Sequence, residues 1–403
     1  MFIVFLFLFL FLFFVIIEFV LRGIVRHFRN EFQWIITEED DLPNFNKGAL
    51  ESFFNNSFDK ELGWVRKPNT TGIELGKNGE IKYHIDSIGS RYSFKNGEPS
   101  ISTFGDSYTF CRQVEDDQTW QSYLGKELNE HVLNFGVGNY GIDQALLYYK
   151  RMELLTTKIV ILGFVPETIC RIQSYWKHYL EFGNIFAFKP RFSLKNEKLL
   201  LHRCLSEGLK DLDNIHSTIK AVQKHDVFYK RKFKSLQFRG SYLLSYFNNF
   251  KRNTILLYLL IRRKIFNILK INNEFYENAP FAKIMKSNVQ DAHMMYQDDY
   301  ACNLLEKIIL EFRDEAHRRN QKPIILLMPQ LIDIQIMNES NSSPYRDFYR
   351  RLNEKIPVLD MTEHINYLSM DEIYIEDGYG GHFSEIGNKM VASQIAKFLN
   401  NVY

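Results

Sequence analysis

The sequence predicts an α/β protein: about five parallel strands, covered by helices on both faces and preceded by a membrane-spanning helix. Three observations carry that prediction. Short apolar runs followed by turn signals recur at 101–104, 132–135, 159–162, 323–328 and 357–359. Each has three to six residues and most are rich in Ile, Val or Leu, which suits parallel strands buried on both faces. Helical stretches at 120–128, 143–155 and 303–319 lie between them, the crossovers that a doubly wound sheet needs. Finally, residues 1–17 are uninterrupted apolar, and Phe19, Val20 and Leu21 continue the run past Glu18.

Taken in order, residues 1–22 read as an anchor. Twenty helical residues span roughly 30 Å, the thickness of a bilayer core. A cleaved signal would show basic residues before the run and a small-x-small site after it, and neither is present. Glu18 is expected at the interface. Arg22, Arg26 and Arg29 follow the run and no basic residue precedes it, which by the positive-inside rule puts the body in the cytoplasm. Residues 23–60, with the acidic knot Glu38-Glu39-Asp40-Asp41, read as a juxtamembrane stalk. Within 61–99, alternation such as Ile81-Lys82-Tyr83-His84-Ile85 predicts a small β-hairpin region. The α/β domain then runs in two parts, 100–170 and 320–403.

Between those parts, 171–319 is too long for a plain loop and reads as a mostly helical insertion. From 220 to 270 its many Lys and Arg residues face only Asp226, with apolar runs such as 255–261 among them. Two readings stay open: a basic amphipathic helix on a membrane surface, or a solvated basic face over an ordinary core helix. No recognition module accompanies the charge, so nucleic acid is not expected. The whole chain, 403 residues at a formal +2 with 45% hydrophobic and 15% aromatic residues, can build a sizeable core and points to no charged partner. Cys111, Cys170, Cys204 and Cys302 are widely spaced and form no CxxC pair, which argues against a disulfide scaffold or a zinc site. His84, His178 and His202 form no ligand spacing, so neither metal nor cofactor is expected.

The chemistry concentrates at two places. The first strand ends in Phe104-Gly105-Asp106-Ser107-Tyr108, and Asp377-Gly378-Tyr379-Gly380-Gly381-His382 lies near the C-terminus. A serine hydroxyl needs a base within hydrogen-bond reach, and His382 can supply one. That base needs a partner to fix its tautomer. Asp377 can act from the same loop, with Asp371 and Glu376 as rivals. The loop 134–141, with Gly136, Gly138 and Gly141, can bring backbone N–H groups close to a developing oxyanion. Ser107 equally suits a helix N-cap, and Asp106 suits structuring the turn. Cys111 suits a small buried residue better than a pocket wall.

On these motifs the chain resembles the SGNH (GDSL-type) hydrolase superfamily, over roughly 60–170 and 320–403. Gly105-Asp106-Ser107 is similar to the first block of that family, and Asn134-Phe135-Gly136-Val137-Gly138-Asn139 to the second. Asp377 and His382 are similar to the last block, with two extra residues between them. Gly63-Trp64 and Asp86-Ser87-Ile88-Gly89-Ser90-Arg91 resemble the lead-in of membrane-anchored bacterial members. The resemblance implies a flavodoxin-like three-layer fold and a Ser107–His382–Asp377 triad. Its oxyanion hole would use the N–H groups of Ser107 and Asn139, with Gly138 beside them. It implies a serine esterase acting on a glycan- or lipid-linked acyl group, outside the cytoplasm and against the charge rule; we expect the outer face. An O-acyltransferase of a cell-envelope polysaccharide and a non-catalytic scaffold of the same fold are the alternatives. The third block departs most. Gly163-Phe164-Val165-Pro166-Glu167 stands where the family has Gly-x-Asn-Asp. Losing one oxyanion donor costs about 3–4 kcal/mol, so two readings stay open: weak activity, or a replacement donor, with Arg171 and Asn139 as the candidates.

Overall fold

The computed structural model describes residues 2–206, 208, 214–271, 274–365, 369–375 and 381–402. In chain order its main elements begin with α1 (Phe2–Glu31), the hairpin β1 (Thr70–Gly76) and β2 (Gly79–Ile85), and β3 (Pro99–Gly105). Next come α2 (Ser107–Phe110), α3 (Trp120–Leu128), β4 (His131–Gly136), α4 (Ile142–Arg151) and β5 (Ile159–Phe164). The insertion holds the hairpin β6 (Arg191–Lys195) and β7 (Lys198–His202), then α5 (Tyr242–Asn248), α6 (Phe250–Ile268), α7 (Glu274–Met295) and α8 (Asp299–Arg318). The chain closes with β8 (Lys322–Leu327), β9 (Val358–Asp360) and α9 (Glu385–Val402).

Five strands form one sheet in the order β9-β8-β5-β3-β4, every pair parallel. Numbered along the chain that is 2-1-3-4-5, the flavodoxin-like order. Helix α3 packs against α9, and α4 packs against α8. Strand residues such as Ile101, Val132, Val160, Ile161 and Ile325 are fully buried, which is why their sequence reads as solid apolar runs rather than alternation.

One expectation needs correction. Residues 23–60 are not a stalk. Helix α1 continues to Glu31, with Leu21, Val25 and Phe28 buried along one stripe, and Phe32, Trp34, Ile35 and Ile36 are buried in the main core. The acidic knot deceived, because Arg29 pairs with Asp40 at 3.0 Å and Glu39 at 2.9 Å, so its charge faces protein rather than water alone. The insertion is helical but also carries the hairpin β6–β7. Its Leu199, Leu200 and Leu201 run gives no period-2 signal because apolar residues occupy both faces of the strand, with Leu200 and Leu201 exposed.

Three glycines position the site. Gly105 is in register with Gly136 on one side and Gly163 on the other. A Cβ on Gly105 would lie 1.8 Å from the Gly163 carbonyl oxygen, and one on Gly136 would lie 2.1 Å from the Phe110 nitrogen. One on Gly163 would lie 2.5 Å from Thr109 Oγ1. A row of missing side chains at the strand ends therefore lets the short helix α2 rest directly on the sheet.

Candidate active site

Ser107 opens α2 at the carboxyl end of the interior strand β3, where ligands bind in open α/β sheets. Asp106 is the N-cap. Its Oδ1 accepts the Tyr108 N–H at 2.9 Å and its Oδ2 accepts the Val165 N–H at 2.9 Å, so it ties α2 to the end of β5. Burial raises its pKa, with Arg171 opposing. The other end of α2 is held by Arg91, which is 1% exposed. Its guanidinium donates to the carbonyls of Phe110 at 2.9 Å, Cys111 at 2.8 Å and Val114 at 2.5 Å, and pairs with Asp116 at 2.8 Å. Those are carbonyls a short helix leaves without internal partners.

His382 lies in a two-residue antiparallel pairing, opposite Ile375. Its Nε2 is 2.9 Å from Ser107 Oγ, within the reach that a nucleophile and its base require. The Tyr108 ring stacks on the imidazole with centroids 4.9 Å apart, and the Tyr108 hydroxyl donates to the Gly381 carbonyl. The residue after the serine thus fixes the histidine. Asp377 and Glu376 lie outside the described residues, and Asp371 is exposed on a short helix, Met370–Ile373.

The second-block loop is held from behind. Trp64 Nε1 donates to the Gly138 carbonyl at 3.0 Å, and Lys177 Nζ donates to the Asn139 carbonyl at 3.4 Å. Asn139 has φ 67°, a left-handed conformation that Asn tolerates better than most residues. Among the described residues no hydrogen bond engages the backbone N–H of Ser107 or of Asn139. Both residues, with His382 and Tyr108, line a cavity of about 290 Å³. Gly138 joins Ser107 and Asn139 along a neighbouring cleft of about 300 Å³.

Arg171, expected as a substitute donor, lines the same cavity and is largely engaged by its neighbours, while its Nε is buried without a hydrogen-bond partner among the described residues. Its guanidinium is taken by Glu167 at 2.7 Å, Asp106 at 3.5 Å, Glu181 at 3.7 Å and the Tyr140 carbonyl at 3.3 Å. Burial disfavours its charge, yet these carboxylates raise its pKa. Lys177 completes the cluster at 2.9 Å from Glu181. Burial raises Glu167; burial also opposes ionisation of Glu181, but Lys177 and Arg171 hold it below the ordinary carboxylate range. At the third block itself Val165 spends its N–H on Asp106, and Pro166 offers its carbonyl to Tyr296 at 2.7 Å. Sequence reasoning missed Gln330, which is buried, lines the same cavity and lies 3.5 Å from Glu167 Oε2. The only cue was its place directly after the fourth strand.

No family model matches the chain, and no curated protein matches it. Among solved structures the chain is similar to a lipolytic G-D-S-L family protein from Desulfitobacterium hafniense DCB-2, at 11% identity, TM-score 0.30, 74% of this chain and 98% of that one. It is also similar to a member of the lipolytic protein G-D-S-L family from Veillonella parvula DSM 2008, at 10% identity, TM-score 0.31, 75% of this chain and 98% of that one. Likeness at that level carries no argument about chemistry, which has to come from the site itself.

Proposed function

We propose that the protein is an SGNH-type serine esterase, held at a membrane by α1, that acts on a glycan- or lipid-linked acyl ester. The observation that carries this reading is the 2.9 Å contact between Ser107 Oγ and His382 Nε2, beside two backbone N–H groups with no other acceptor among the described residues. Ser107 attacks the ester carbonyl while His382 takes its proton. The N–H groups of Ser107 and Asn139 receive the oxyanion. His382 then returns the proton to the leaving alcohol, and water releases the acyl group. Asp377 orients His382 in this reading. Transfer to a sugar hydroxyl instead of water would make the same machinery an O-acyltransferase.

A fluorophosphonate probe tests it. The intact protein labels, Ser107→Ala does not, and Asp377→Asn labels on the order of 10⁴-fold more slowly because the imidazole loses its preferred tautomer. An unlabelled but folded protein would leave a scaffold. An acetyl-ester donor given with an oligosaccharide separates hydrolase from transferase by the product formed. We place the body on the outer side of the membrane; an inactive C-terminal phosphatase fusion would reverse that.

A further inference from the structure

A second cavity, about 270 Å³, lies next to the catalytic one. Trp34 and Phe182 line both, their rings edge to face at 5.9 Å, so they form the partition. Helix α7 runs along both chambers, with Phe281 and Met285 in the first and Ile284 and Asn288 in the second. Trp34 follows α1 by three residues, so the partition belongs to the segment emerging from the apolar helix.

The second chamber is built for an anion with an apolar body. Arg231, Lys232 and Arg252 line it against one carboxylate, Asp291, which already pairs with Lys232 at 3.1 Å. Arg231 is half-exposed and lies 3.7 Å from Asp298. Arg252 has no carboxylate within 4.0 Å among the described residues; it donates to Asn253 Oδ1 at 3.2 Å and the Trp34 carbonyl at 3.3 Å. Burial pushes its pKa down to about 10, and Asp291 alone opposes the shift. Two donors wait unused. Trp34, 7% exposed, has no partner for Nε1, and Asn288, 5% exposed, has none for Nδ2. Buried donors without partners are costly, and both of these belong to residues that line this cationic cavity. The remaining wall is apolar, including Phe233, Leu236 and Ile284.

We propose that this chamber binds a phosphate-bearing headgroup, with Arg252 and Lys232 meeting its charge and the N–H groups of Trp34 and Asn288 completing its contacts. The inference rests on the esterase reading for its link to Ser107, and it makes the substrate an anionic amphiphile entering beside α1. Phosphate oxygens match a planar guanidinium fork, while the apolar wall accepts the chain.

Calorimetric titration of the full-length Ser107→Ala protein in detergent tests this. Dihexanoyl phosphatidate is expected to bind at least tenfold more tightly than dihexanoylglycerol, which lacks the phosphate. Arg252→Gln, and separately Asn288→Asp, should each weaken phosphatidate at least tenfold, with circular dichroism confirming the fold. Inorganic phosphate binding as tightly as phosphatidate supports the anion site and names free phosphate as its occupant. Equal affinity for the two dihexanoyl compounds, or binding untouched in both variants, overturns the proposal. Fluorophosphonate labelling of the unmutated protein keeps the two readings apart. Labelling without phosphatidate binding sinks this site alone, and binding without labelling sinks the esterase alone.

Discussion

Ser107 meets an imidazole 275 positions away, and each residue around it has a traceable physical duty. Ser107 and His382 were legible in the sequence because a nucleophile and its base are restricted to few residue types. The duties of Arg91 and Tyr108 were not, because they act through backbone carbonyls that any sequence supplies. His178 is a similar case: its sequence context has no ligand spacing, and the structure puts it at 1% exposure among aromatic rings. Trp176, Phe182 and Phe233 lie 4.5, 4.9 and 5.1 Å from it, and its Nε2 donates to the Asp40 carbonyl at 3.2 Å. Burial lowers its pKa to about 4, against about 6.5 in an unfolded chain. Above the unfolded value both states carry neutral imidazole and the shift has no effect. Below it the unfolded chain binds the proton first, so stability falls as pH drops toward the folded value and then levels, a loss of about 3 kcal/mol in all. His178→Phe keeps a ring and removes the proton site. Denaturant unfolding near pH 7.5 and near pH 5 should then show the variant losing about 2 kcal/mol less than the parent between the two. Equal losses would mean that His178 is not the titrating group.

At the scale of elements, the sheet was readable because parallel strands buried on both faces write themselves as apolar runs. All five expected strands are present: the first three extend a residue or two beyond the expected bounds, and the last two are shifted by one residue. The glycine row was less visible. Gly105, Gly136 and Gly163 are scattered along the chain and align only when register is known. Their effect is on the geometry between elements, since α2 can touch the sheet only where side chains are absent. Gly136→Ala puts a methyl group 2.1 Å from the Phe110 nitrogen and 2.6 Å from its Cα. Backbone cannot step aside as a flexible side chain can, so α2 must rise and carry Ser107 with it. We expect a loss of about 3 kcal/mol, the upper end for overpacking, together with slowed fluorophosphonate labelling. Gly138→Ala, where nothing lies within 4 Å of the added methyl, should leave stability within about 0.5 kcal/mol. A thermal melt of both variants checks the contrast. Similar melting points would show that the row is incidental.

For the whole molecule, α1 is long and apolar enough to cross a bilayer, and under the proposed reading it supplies a ruler for how the body would sit against one. Of its large apolar residues, nearly all from Phe2 to Val20 are exposed, whereas Leu21, Val25 and Phe28 are buried in the body. The exposed stretch is about 28 Å long at 1.5 Å per residue, one bilayer core. Near its end Glu18 accepts the N–H groups of Tyr242 and Leu243 at 2.8 Å each, capping the start of α5. Arg22 pairs with Glu18 at 2.8 Å and stacks 4.5 Å from the Tyr242 ring centroid. No pattern in the sequence joins positions 18 and 242, which is why the basic insertion kept two readings there. The contact fixes α5 where the apolar stretch ends. Leu244, Phe247 and Phe250 are 67%, 58% and 53% exposed beside it, with Lys251 following, an arrangement suited to the headgroup boundary. A photo-crosslinking p-benzoyl-phenylalanine at position 247, in full-length protein reconstituted into anionic vesicles, should therefore capture phospholipid. The same group at Leu154, 95% exposed on the loop after α4, should not. Crosslinks from 247 to a second copy of the chain, or equal lipid capture at both positions, would show that α5 faces something other than the membrane.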